Sequence, residues 1–182
     1  YWTGPTPRLN VWWRNPRHAR ALFNELVAYR GVVANQRRIT IVGHSNGCDI
    51  ALRTAKLLAA AGITVTALIL AASVTDPDVD KSGVLSLICS GRLRTAFAYA
   101  SDHDVPLAIP AMFKWPYSDL GRKGWMANGK PLETDYTIVT RWFPGYGHGD
   151  YFSATNRDAT FNLIAQDAGL LEPGSTSSPP TE

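Results

Sequence analysis

The stretch Arg38-Ile39-Thr40-Ile41-Val42-Gly43-His44-Ser45-Asn46-Gly47-Cys48-Asp49-Ile50-Ala51-Leu52 decides how this chain is read. Ile39 to Val42 is an unbroken β-branched run and predicts a short, largely apolar strand. From Asn46 to Ala61 the pattern becomes helical, with Ile50, Leu52, Ala55, Leu57 and Leu58 available for burial. Between them Gly43-His44-Ser45-Asn46-Gly47 fits G-x-S-x-G at a strand–turn–helix junction. Gly43 and Gly47 are read as positions where a Cβ would obstruct the approach of strand and helix. The Ser45 hydroxyl would then stand above the carboxyl edge of a sheet. The leading N–H groups of the helix face the same place, and that of Asn46 is the natural donor to a developing oxyanion. The five residues alone leave open a glycine-rich turn with a helix-capping serine, or a turn that binds phosphate. Against a nucleotide site, neither G-x-G-x-x-G nor G-x-x-x-x-G-K-[ST] occurs.

Outward from this corner, strand-like and helix-like segments alternate. Asn10–Trp13 reads as a short strand, and Asn15-Pro16 opens a helix with Leu22, Leu26, Val27 and Tyr29 on its apolar face. Ile63–Ala71, Thr95–Ala100 and Tyr136–Phe143 read as strands, and Asn128-Gly129 as a hairpin turn. Gly83–Ser90 is an apolar piece of undecided type. Asn156 is placed to cap a last helix to about Ala168, with Phe161, Leu163 and Ile164 inward and Gly169 as its stop. Nearly all-apolar strands alternating with helices predict an α/β fold: a mostly parallel central sheet with helices on both faces. One domain is expected over residues 1–171. The Pro- and Ser-rich residues 172–182 are expected to be a disordered tail.

Composition narrows the function. The chain has 182 residues, 45% hydrophobic and 18% charged, which suffices for a real core. A net charge of +3, with its arginines dispersed, argues against a nucleic-acid partner. The two cysteines, Cys48 and Cys89, make no metal-ligand spacing and are expected to be small buried hydrophobes. No metal and no cofactor is expected. The uncharged run Leu57–Thr75 is long enough to suggest a membrane span, but Gly62 divides it into a helix end and a strand, so no stable span is expected. No signal peptide is read. The chain begins at Tyr1, not methionine, and an upstream segment is expected to precede it; a cytoplasmic setting is favoured over others.

A nucleophilic serine needs a base, and the base needs an acid. Ser101-Asp102-His103-Asp104-Val105-Pro106 follows one predicted strand, and Pro144-Gly145-Tyr146-Gly147-His148-Gly149-Asp150 follows another. Each lies past the carboxyl end of a strand, where open α/β sheets place their sites.

On these pieces the chain resembles the α/β-hydrolases of the small serine esterase/lipase type. GHSNG is similar to the family's elbow, ASDHDVP to its acid four positions before a proline, and GHGDYF to its final Gly-His before an aromatic. The resemblance runs over about Val11 to Gly169. It implies Ser45 as nucleophile, Asp102 as orienting acid, His148 as general base and the Asn46 N–H as an oxyanion donor. Asp104 is the rival acid. His44 is read as a wall or packing residue, His103 and His18 as surface residues, and Asp150 as a loop acid near His148. The family's second oxyanion donor follows an earlier strand and is often marked by His-Gly. No His-Gly precedes Ser45: either the chain begins part-way into the fold, lacking the first strands, which is favoured, or Tyr1-Trp2-Thr3-Gly4 stands in for the end of that earlier strand. In the first case the elbow strand would lose a pairing neighbour, to be covered by a partner chain or an upstream segment. Phe113, Trp115, Trp125 and Met126 are candidates to line an acyl pocket beside His44.

The implied function is hydrolysis of small-molecule carboxylic esters through an acyl-enzyme. The alternatives are acyl transfer by the same residues and a non-catalytic binding domain on this fold.

Overall fold

A computed structural model describes residues 13–29, 38–104, 119–133 and 137–171. Asn10, Val11 and Trp12 of the expected strand Asn10–Trp13, the candidates Phe113 and Trp115, and the tail from 172 lie outside the described residues.

Four parallel strands form the sheet in the order β1-β2-β3-β6, where β1 is Thr40–His44, β2 Val65–Ala71, β3 Leu93–Ala100 and β6 Ile138–Trp142. Helix α1 (Asn15–Ala28) precedes β1, α2 (Gly47–Ala60) joins β1 to β2, and α3 (Val84–Cys89) joins β2 to β3. The short helix α4 (Leu120–Lys123) and a hairpin of β4 (Met126–Ala127) and β5 (Lys130–Pro131) lie between β3 and β6. Helix α5 (Arg157–Asp167) closes the described chain.

The side-chain alternation of the strands divides the core in two. Leu68 and Leu70 of β2, with Ala96 and Ala98 of β3 and Ile138 of β6, pack under α2, α3 and Trp125. Ala67, Ile69 and Ala71, with Phe97 and Tyr99, face the other way, where Tyr151, Leu163 and Ile164 cover them. Strands buried on both sides read as continuous apolar runs, and this is why Val65–Ala71 has no polar alternation. Helices α2 and α5 thus cover opposite faces. Tyr99 Oη donates to Asp167 Oδ2 at 2.8 Å and Arg141 Nε to the same oxygen at 3.2 Å, so the end of α5 is fastened to β3 and β6.

Several expectations need correction. The undecided piece at Gly83–Ser90 is helix α3, entered through Gly83 in a left-handed conformation with φ +78°. Tyr29 follows the last turn of α1 and is exposed, and Phe23 packs on the core in its place. Phe161 is exposed on α5, with its ring 5.7 Å from that of Phe152 between centroids. Asn156 holds the N-cap position of α5 without a side-chain capping bond. His18 is half-buried rather than a surface residue, and Trp13 leads exposed into α1 instead of forming a strand. Cys48 is buried as expected, but Cys89 sits at the exposed end of α3; both are free thiols. The hairpin turn at Asn128-Gly129 forms as read, with both residues at positive φ.

Among the described residues β1 pairs only with β2 and lies at one edge of the sheet. No described helix is long and apolar enough to cross a membrane.

Candidate active site

The site is built at the carboxyl ends of three strands. The β1–β2 register pairs His44 with Ala71, and the Ser45 N–H extends it by donating to Ala71 O at 3.0 Å. The chain then turns so sharply into α2 that Ser45 takes φ +53°, a left-handed conformation unfavourable for a residue with a Cβ. Cys48 N–H returns to Ser45 O at 3.1 Å and closes the corner. The two elbow glycines are not equivalent. A Cβ on Gly43 would stand 2.8 Å from Cys48 Cα and 2.9 Å from Gly47 O, whereas one on Gly47 would meet nothing within 4 Å. The close approach is needed at Gly43 alone, which corrects the symmetric expectation.

His148 lies on the loop after β6, shaped by Gly145 at φ +81° and by the Gly147 N–H donating to Asp150 Oδ2 at 2.7 Å. Asp150 is therefore the loop acid expected. His148 Nε2 is 2.7 Å from Ser45 Oγ, and Nδ1 is 2.9 Å from each oxygen of Asp104. A carboxylate can only accept, so Nδ1 carries the proton and Nε2 is left as acceptor for the serine hydroxyl. This arrangement can withdraw the serine proton and stabilise the imidazolium that results.

Asp102 is not brought to His148. Its carboxylate accepts instead from His103 Nδ1 at 2.8 Å, and both side chains are about two-thirds exposed. The turn Ser101–Asp104 explains the difference. It throws residues 102 and 103 into solvent and returns Asp104, fully buried, beneath the histidine. His103 is the surface residue expected.

His44 is more than a wall. Its Nε2–H donates to the backbone carbonyl of His148 at 2.9 Å, and its ring lies edge-on to Phe152 at 5.2 Å. Burial lowers its pKa and favours the neutral ring, against the bond to His148 O, which needs only that Nε2 carry a proton. Cys48 is no second nucleophile: burial pushes its thiol pKa up to about 12, and Sγ donates to Ala71 O. Tyr151 is fully buried with its pKa raised by burial, and its hydroxyl donates to Tyr99 O.

Of the candidate pocket residues, Trp125 belongs to the core beneath the sheet and does not line the site. Met126 is taken up in β4, hydrogen-bonded to Pro77 and Val79. The Asn46 amide stands where Ser45 gives way to α2. Tyr1-Trp2-Thr3-Gly4, the stand-in for the strand that would precede a second oxyanion donor, lies outside the described residues.

Sequence reasoning missed one contact set. Asn15, read only as a helix opening, is wholly buried and bonds the side chains of Asn46 and Asp49. Its position before Pro16 gave no sign of this, since an Asn there is explained by capping alone.

Parallel sheet, helices on both faces and a strained serine between strand and helix define the class: the chain has the α/β-hydrolase fold. No family profile and no curated protein matches it. Among solved structures it is similar to a type II thioesterase of the yersiniabactin NRPS/PKS biosynthetic pathway. That match covers 85% of this chain and 74% of the other, at TM-score 0.50 and 15% identity. An α/β-hydrolase superfamily protein from Enterococcus faecalis also matches, over 93% of this chain and 84% of that one, at TM-score 0.47 and 12% identity. At such identities the likeness is one of fold.

Proposed function

We propose that the protein is a serine hydrolase that cleaves carboxylic esters through an acyl-enzyme formed on Ser45. The observation that carries this reading is the continuous contact from Ser45 Oγ to His148 Nε2, at 2.7 Å, and from His148 Nδ1 to Asp104, at 2.9 Å. Ser45 attacks the acyl carbon as His148 takes its proton. Asp104 holds the tautomer and balances the imidazolium. The Asn46 N–H receives the carbonyl oxygen as it becomes negative. His148 then protonates the leaving alcohol and activates water for deacylation. Ser45 and His148 are both half-buried, so the nucleophile is reached from solvent and small, accessible esters suit it.

A fluorophosphonate should label Ser45, and Ser45→Ala should abolish p-nitrophenyl ester turnover with its circular dichroism unchanged. Full activity in Ser45→Ala would refute the reading. The assay should grade acyl length and include S-acyl substrates, because a fold neighbour is described as a thioesterase. Alcohol acceptors offered against water separate hydrolysis from acyl transfer. A Ser45 inert to fluorophosphonate would instead favour a non-catalytic binding domain.

A further inference from the structure

Asn15 is the first residue of α1 and is fully buried. Its Nδ2 donates to Asn46 Oδ1 at 2.8 Å and to Asp49 Oδ2 at 2.9 Å, and its Oδ1 accepts from Asn46 Nδ2 at 3.1 Å. The two carboxamides thus face each other in a reciprocal pair. Arg53 Nε donates to the same Asp49 oxygen at 2.9 Å. The chain of contacts Arg53–Asp49–Asn15–Asn46 ties the start of α1 to the first turn of α2, and it ends on the residue that follows the nucleophile.

This placement has a chemical consequence. An oxyanion donor works by standing ready where charge will develop, without reorganising during the reaction. The donor here belongs to a peptide beside a strained corner, with Ser45 at φ +53°. The backbone here is held by Cys48 N–H to Ser45 O at 3.1 Å and by Asp49 N–H to Asn46 O at 3.2 Å, both within the turn and the first turn of α2. A two-bond clamp on the Asn46 side chain restrains the Cα that carries the amide. The Asn15 side-chain Nδ2 and Arg53 Nε also donate to the Asp49 carboxylate, whose charge would otherwise oppose an oxyanion at the head of α2.

We infer that Asn15 is a positioning residue, which acts through the Asn46 side chain to hold the backbone amide after Ser45 in the geometry that receives the oxyanion. The inference rests on the proposed role of Ser45. It assigns to α1 a part in the chemistry as well as in the core.

The test compares wild type, Asn15→Leu, Asn46→Ala and the double variant in ester kinetics and in the rate of fluorophosphonate labelling. Asn15→Leu keeps the branched shape of the side chain while removing all three bonds. Each single variant should lose about 10- to 100-fold in kcat and in labelling rate, with KM changed less than about twofold. The double variant should lose no more than the worse single one, because both remove one clamp. A folded Asn15→Leu with wild-type kcat, or losses that multiply in the double variant, would overturn the inference. Should Asn15→Leu fail to fold, wild-type kcat in Asn46→Ala overturns it equally. An unlabelled wild type sinks the reading of Ser45 itself, and this inference with it. A labelled wild type beside unaffected variants sinks only the clamp.

Discussion

Asp102 and Asp104 share a loop and differ in everything that matters to a catalytic acid. Asp102 is largely exposed and bound to its neighbour, whereas Asp104 is fully buried with both oxygens on His148 Nδ1. Replacing the buried carboxylate by a carboxamide would offer a donor to Nδ1 and favour the wrong tautomer. Asp104→Asn should therefore lower kcat by about 10³- to 10⁴-fold. Asp102→Asn should stay within about twofold, since an exposed pair is screened by water. Ester turnover of the two folded variants checks this, and the reverse ranking would place the acid at Asp102. The sequence displays both acids but not the contact that decides between them. The spacing to Pro106 selected Asp102. What decides is a turn held by Ser101 N–H to Gly121 O at 2.8 Å, a partner supplied by α4. No local pattern encodes that bond. His148 and Ser45 were legible because glycines mark both their loops.

The strand–turn–helix corner was the most legible element, since a β-branched run, a G-x-S-x-G and a helical period follow one another without a break. Its inner asymmetry was hidden. Both glycines fit the pattern, but the contact that excludes a Cβ exists at Gly43 alone. Gly43→Ala would drive a methyl into the backbone of Gly47 and Cys48 and should cost about 1–3 kcal/mol. Gly47→Ala begins α2 with a better helix former in open space, and should be neutral or stabilising by up to about 1 kcal/mol. Urea denaturation of the two variants separates them, and equal destabilisation would mean that the corner needs both glycines. Helix α3 was not legible for a different reason. Val84–Cys89 is six residues of mixed strand and helix formers, too short for either period to show. Tertiary contact of Val84 and Leu87 with the core settles it.

At the scale of the molecule, the mostly parallel sheet with helices on both faces was readable from its all-apolar strands. How the second face is secured was not. Helix α5 covers it with half-buried Leu163 and Ile164, and its expected anchor Phe161 is exposed. Apolar burial on that helix is thin, so a polar fastening takes a larger share. Asp167 provides it: nearly inaccessible, it accepts from the Tyr99 hydroxyl of β3 and the Arg141 guanidinium of β6. Asp167→Ala leaves the Tyr99 hydroxyl without this partner, while the part-exposed Arg141 can turn to water. The loss should be about 2 kcal/mol, the cost of one buried polar group left unpaired and little more. Tyr99→Phe in the same background should recover part of it, because the stranded hydroxyl is then gone. The fastening is made to Tyr99 and Arg141, neither of which belongs to the Ser45–His148–Asp104 contact. At temperatures where the variant stays folded, kcat should therefore hold near the wild-type value. Chemical denaturation gives the first quantity and ester turnover the second. A fall in kcat without a fall in stability would show instead that α5 positions the histidine.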